Sequence, residues 1–110
     1  KLHRHTRLKP AMEYMQKNYK TKISLDQIAE SAHISVSRLC HLFKGQLNTT
    51  VFDYLTRLRV NRAQYLLLST DRTCVDICFD SGFTNLSFFN RTFKQRAGMT
   101  PTQFRSQNKR

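Results

Sequence analysis

Residues 24–44 run SLDQIAESAHISVSRLCHLFK and residues 73–94 run TCVDICFDSGFTNLSFFNRTFK, and the second stretch repeats the pattern of the first. Ser24, Leu25, Ile28 and Ala29 correspond to Thr73, Cys74, Ile77 and Cys78 at a shift of 49 residues. Ser35, Ser37, Leu39, Phe43 and Lys44 correspond to Asn85, Ser87, Phe89, Phe93 and Lys94 at a shift of 50, so the second copy has one extra residue in its turn. Thr50 and Tyr54 return as Thr100 and Phe104 at that same shift of 50, so each copy feeds a further capped helix.

Within the first copy, Ser24 is a helix N-cap, and Gln27 three residues on closes a capping box. The buried stripe expected on that helix is Leu25, Ile28, Ala29 and Ala32. A tight turn at His33-Ile34 follows, and Ser35 caps a third helix that buries Leu39, Leu42 and Phe43 and is weakened at its end by Gly45. His33 stands where a turn Gly is common in such units, and His tolerates positive φ better than most residues. A short helix, a turn of three or four residues and a longer helix, occurring twice, describe two helix-turn-helix units. A solenoid would need at least three repeats, and two are visible.

Outward from the repeat, Leu8, Ala11, Met12, Met15 and Tyr19 share one face of a first helix, with Pro10 suited to its first turn. Between the copies, Thr50 caps a long helix with Asp53 at its favourable third position. Its apolar stripe is Val51, Tyr54, Leu55, Leu58, Ala63, Leu66 and Leu67, and it should end near Ser69. A helix of that length is a rod of about 28 Å, against about 34 Å between successive major-groove faces on one side of B-DNA. The expected organisation is a first helix-turn-helix subdomain over 6–49, a connecting helix over 50–69, a second subdomain over 70–106 and a basic tail over 107–110.

Composition agrees with an all-α chain. Among 110 residues only three are Gly and two Pro, whereas sandwiches and barrels spend many of both on turns. Hydrophobic residues make up 39%, enough for a packed core. The longest apolar run, Tyr65 to Leu68, falls far short of the roughly 18 residues of a membrane span. Three cysteines cannot all pair within the chain, which fits a reducing, cytoplasmic setting. The first residue is Lys, from which a domain of something longer is expected.

Charge supplies the functional lead: 19 Lys plus Arg against 7 Asp plus Glu leave +12. Cations occur in every segment: Lys1, Arg4, Arg7 and Lys9; Arg57, Arg59 and Arg62; Arg96, Arg105, Lys109 and Arg110. Neutralising phosphates with them would release counterions, giving steeply salt-dependent DNA binding, and the helix starts at Thr50 and Thr100 could add backbone amides. With the apolar residues inward, the third helix presents Ser37, Arg38, Cys40, His41 and Lys44. In the second copy the outward set is Leu86, Ser87, Asn90, Arg91 and Lys94, with Asn85 at the helix start. Asn can bond adenine bidentately and Arg guanine, so the second unit should discriminate bases better than Cys40 and His41 can.

Other functions have thinner support. An enzyme would need an activated nucleophile or a metal cluster. Cys74 and Cys78, one turn apart, match the core positions Leu25 and Ala29 and lack further ligands, and His3 and His5 lie at the chain terminus. A non-specific compactor or RNA binder shares the charge but not the paired units, and RNA readers offer exposed aromatic platforms. Most Phe here fall on core faces, Phe88 being the one without a place. An interaction module that has lost DNA binding is favoured only by the weak first recognition helix. No catalytic residue, cofactor or metal is expected.

From Gly82 onward, Gly82-Phe83, Asn85, Ser87, Phe89, Arg91, Phe93-Lys94, Gly98, Thr100-Pro101 and Phe104-Arg105 resemble the signature of the AraC/XylS family of bacterial transcription regulators. Tyr54-Leu55, Arg59, Ala63 and Leu66-Leu67 are similar to that family's connecting helix, and Leu25, Ile28-Ala29 and Leu42-Phe43-Lys44 to its first helix-turn-helix. The resemblance covers about residues 6 to 106. It implies a seven-helix, two-lobed, homeodomain-like domain that binds double-stranded promoter DNA, usually activates transcription and touches RNA polymerase. It also implies a separate effector-binding or dimerisation domain ahead of this one. Base-contact positions carried over by the resemblance are Ser37, Cys40 and His41 in the first unit and Leu86, Ser87, Asn90 and Arg91 in the second. Where many members have Ser-Arg, this chain has Cys40-His41.

Overall fold

The computed structural model describes residues 2–108, with side chains from Arg7 to Asn108. The side chains of Lys1, His3, Arg4, His5, Lys109 and Arg110, the histidines weighed above for a metal and the cations for phosphates, lie outside the described residues. Among the described residues there are seven α-helices, one π-helical turn and no strand: α1 Leu2–Asn18, α2 Leu25–Ser31, α3 Val36–Leu42, the π turn Phe43–Leu47, α4 Val51–Ser69, α5 Cys74–Asp80, α6 Leu86–Ala97 and α7 Pro101–Asn108. The chain divides into two compact units, Lys1–Thr56 and Arg57–Arg110, the division falling inside α4.

The first unit gathers α1, α2, α3, the π turn and the start of α4. Leu8, Ala11 and Met15 of α1 are buried with Ile28, Ala29, Leu39, Leu42, Phe43, Val51, Tyr54 and Leu55. Tyr54 joins both sides of this core, its ring edge-on to Phe43 at 5.7 Å and its hydroxyl accepting from Gln16 Nε2 at 3.0 Å. Pro10 does not open α1, as the sequence had suggested, but lies inside it. Burial of Leu8 holds the turn before Pro10 on the core, so the helix continues across the missing N–H donor. A second correction concerns Leu25, expected in the buried stripe but 43% exposed, because as the first residue of α2 it lines an open groove with Val51, Phe52 and Leu55 instead of closing the core. Ala32, Met12, Tyr19 and Leu58 are half-buried, not core.

Local chemistry explains where these helices start. Ser24 and Gln27 form the reciprocal capping box, with Gln27 N to Ser24 Oγ at 3.1 Å and Ser24 N to Gln27 Oε1 at 2.9 Å. Ser35 Oγ accepts from Arg38 N at 3.0 Å and Thr50 Oγ1 from Asp53 N at 3.0 Å. Between α2 and α3 the chain turns through His33 at φ 59°. The last turn after α3 is π-helical, ending at Asn48 in the left-handed region with φ 54°.

The second unit buries Val60, Ala63, Leu66 and Leu67 of α4 against Ile77, Cys78, Phe83, Phe89 and Phe93. Its centre is a run of phenylalanine rings, with centroid separations of 5.0 Å for Phe83–Phe89, 5.8 Å for Phe89–Phe93 and 5.5 Å for Phe93–Phe104. Phe88 has its place here: half-buried, it packs on the same core with its ring 6.1 Å from Phe83. Caps match those of the first unit, Thr73 Oγ1 accepting from Asp76 N at 3.0 Å and Asn85 Oδ1 from Phe88 N at 2.7 Å. Gly82 at φ 102° takes the turn position that His33 fills, and Gly98 at φ 82° ends α6. Thr100 and Gln103 close a further capping box at α7.

Candidate nucleic-acid interface

The second helix of each unit, α3 or α6, is fixed from behind by its own core, which leaves the opposite face for chemistry. In the second unit Phe89, Thr92 and Phe93 are buried, and Leu86, Ser87, Asn90, Arg91 and Lys94 are exposed at positions that succeed one another on one face of α6. Asn85 is exposed as well, but its side-chain oxygen is committed to the N-cap, leaving the Nδ2 hydrogens for any ligand. An amide and a guanidinium one residue apart, on a helix with a stacked aromatic back, can each offer paired hydrogen bonds to a base edge.

In the first unit Leu39 and Leu42 are buried, and Ser37, Arg38, Cys40 and His41 are exposed on α3. Lys44 is exposed too, but it lies in the π turn, where the wider helix shifts its bearing from the one an uninterrupted α-helix would give. Cys40 borders a mainly apolar groove of about 310 Å³ whose other walls include Leu25, Ile28, Thr50, Val51 and Phe52. Cys78 is buried, which pushes its thiol pKa up, and Cys74 is half-buried with its sulfur 3.8 Å from Thr102 Oγ1. Among the described residues no group of three or more His, Cys, Asp or Glu side chains is placed to hold a metal ion. No described helix is long and apolar enough to cross a membrane.

Several cations assigned to phosphates on charge alone do structural work in the second unit. Arg62 Nη2 and Arg72 Nη1 both reach Asp80 Oδ2 at 3.2 Å, joining α4 and the following loop to the end of α5. Burial by itself pushes the Asp80 carboxyl up, but the hydrogen bonds and charges of Arg62 and Arg72 together outweigh it and hold the pKa below the usual range. Arg105 donates Nε to Leu67 O and Nη2 to Thr70 O, each at 3.1 Å, capping the end of α4 from α7. Arg59 is half-buried, and desolvation lowers its pKa. At α7 the box occupies the Gln103 amide and Pro101 has no N–H, so few free amides face outward there. The sequence had no signal for these roles, since the partners are carbonyls and a carboxylate brought together by folding.

Comparison with known proteins places this arrangement. A family model described as a helix-turn-helix domain matches residues 28–107. The "Bifunctional transcriptional activator/DNA repair enzyme AdaA" of Bacillus subtilis is 32% identical over 97 residues, covering 88% of this chain and 46% of that protein. The melibiose operon regulatory protein of Escherichia coli is 29% identical over 92 residues, covering 84% of this chain and 30% of that protein. The chain thus spans less than half the length of these curated relatives. A solved transcriptional regulator of Chromobacterium violaceum, described as having an AraC-type DNA-binding domain, is 31% identical with a TM-score of 0.89, covering 98% of this chain and 96% of that one. The DNA-binding domain of AdpA, solved with a target DNA, shares the fold at 19% identity and a TM-score of 0.84, covering 90% of this chain and 89% of that one.

Proposed function

This chain belongs to the AraC-type helix-turn-helix family of DNA-binding transcription regulators, and on that premise we propose that it is a sequence-specific double-stranded DNA-binding domain, spanning residues 1–110, that activates transcription. In this reading α3 and α6 enter successive major grooves of one promoter site. Ser37, Arg38, Cys40, His41 and Lys44 face one part of that site, and Asn85, Leu86, Ser87, Asn90, Arg91 and Lys94 face the other. The domain works in the cytoplasm, at the C-terminus of a longer effector-responsive protein, and part of its effect comes from touching RNA polymerase. Names of relatives support this much: AdaA and RhaS are described as activators and the melibiose protein as an operon regulator.

The observation that carries the reading is the outward face of α6, where Asn90 and Arg91 are free of the core while Phe89 and Phe93 hold the helix from behind. A helix so anchored presents its first two turns to a groove about 12 Å wide, which is the helix-turn-helix geometry. No catalytic role is part of the proposal.

A mobility-shift titration with a pool of random-sequence DNA duplexes, challenged by excess duplex RNA or by one fixed scrambled DNA duplex, tests it. A fraction of the pool should stay bound against both competitors. Complete displacement of the pool by scrambled DNA, or by RNA, would overturn sequence-specific DNA recognition.

A further inference from the structure

Leu86, the first residue of α6, is 37% exposed, in the midst of an outward face that is otherwise polar. It is not among the side chains packed on the phenylalanine core, although Phe88, two residues on, is. The corresponding residue of the first unit, Val36, is half-buried. Its neighbours Ser87, Asn90 and Arg91 are all exposed, so an apolar side chain stands at the tip of a helix whose other outward groups are hydrogen-bonding ones. The N-terminal residues of a recognition helix are the ones that meet base edges. Among the groups a base pair shows in the major groove, one is apolar: the C5-methyl of thymine.

We infer that Leu86 is a specificity-determining residue that selects a thymine by packing on its C5-methyl, beside the base pairs read by Asn90 and Arg91. The inference rests on the proposed entry of α6 into the major groove and adds the chemistry of one base. Ser87 at the next position can accept from or donate to several bases and so discriminates little, which leaves the methyl contact as the main constraint at that step. Desolvating one methyl against a leucine is worth about a fourfold change in affinity.

The test begins with a duplex selected by the protein from a random library, in which each thymine in turn is replaced by deoxyuridine, removing only the methyl. For the unsubstituted protein, one replacement should weaken binding about fourfold, at a position next to those where Asn90→Ala and Arg91→Ala relax base preference. For Leu86→Ala the same replacement should have no effect, and its affinity for the thymine site should equal that of the unsubstituted protein for the deoxyuridine site. Leu86 is exposed, so the variant should keep its helical circular dichroism. An equal loss in both proteins, no loss at any thymine, or no preferred thymine in that block would overturn the inference while Arg91→Ala still confirms groove entry. If no sequence is enriched at all, the groove reading and the inference fall together.

Discussion

The two helix-turn-helix units share their caps and core positions, yet α3 lasts seven residues before widening into the π turn Phe43–Leu47, whereas α6 runs for twelve. Phe43 and Phe93 are both fully buried, and both units end in a left-handed residue, Asn48 or Gly98. Between those points Gly45, Gln46 and Leu47 stand against Gln95, Arg96 and Ala97, and the first pair sets a residue of high backbone entropy against a good helix former. The core behind α6 is also a row of four aromatic rings, Phe83, Phe89, Phe93 and Phe104, and its outward face carries Asn90 and Arg91 where α3 carries Cys40 and His41. The two copies thus share a frame, and on the proposed reading base discrimination falls mainly to the second.

The largest expected effect is on the frame itself. Phe43→Ala and Phe93→Ala should each cost about 3 to 5 kcal/mol of stability. Amide exchange should speed up mainly in residues 7–56 for the first variant and mainly in residues 57–108 for the second. Uniform acceleration in both variants would mean that the units do not keep separate cores.

Arg105 and Lys94 separate structural from electrostatic cations. Arg105→Ala should lose about 1.5 to 3 kcal/mol in urea unfolding, since two carbonyls at the end of α4 lose a charged donor. The salt slope of DNA binding should stay as it was. Lys94→Ala should leave stability alone and reduce that slope by about 1. A reduced slope in Arg105→Ala would return that arginine to the phosphates.

Base reading should show the asymmetry directly. Arg91→Ala should cost about 1 to 3 kcal/mol on the selected site and relax preference at one position, with a smaller loss for His41→Ala. Equal losses on selected and random DNA would remove the reading role of Arg91.

Much of this was legible in sequence because it is local. A hydroxyl or amide three residues before its amide partner makes a cap wherever it sits, so Ser24, Ser35, Thr50, Thr73, Asn85 and Thr100 could all be named from the chain alone. The turn at His33 was equally visible. What escaped depends on contacts between distant residues. Leu25 has the spacing of a core residue but stands at the edge, and Val60, Phe88 and the Arg62–Asp80–Arg72 group acquire their surroundings only on folding. Phe79, 51% exposed on α5, matches Glu30 of the first unit, which shows that an apolar residue type does not by itself fix the inward side.

The shared turn offers a finer comparison. His33→Gly should stabilise the first unit by up to about 1 kcal/mol, because a side chain at φ 59° is strained and Gly is not. Gly82→Ala at φ 102° should destabilise the second by at least that much. Thermal melts of the two variants moving in the same direction would contradict equivalence of the turns.

The smallest effect concerns pH. Because the folded-state pKa of Asp80 lies below its unfolded value, its pairing with Arg62 and Arg72 contributes above the unfolded pKa and fades as pH falls through the folded one. All three side chains are partly solvated, so the contribution should be under about 1 kcal/mol. Urea unfolding of the unsubstituted protein and Asp80→Asn should differ by that amount at neutral pH and begin to converge only below about pH 4. The first unit has Ser31 at the matching position. A difference that persists at low pH would mean that Asn changes packing, not charge.

The most direct test of unequal, two-part DNA reading is selection of bound duplexes from a random library at two salt concentrations, with the unsubstituted protein and Arg91→Ala. One asymmetric site should emerge, with two blocks about one helical turn apart, the stricter block being the one that Arg91→Ala relaxes. Binding without any enriched sequence, with affinity collapsing as salt rises, would contradict it.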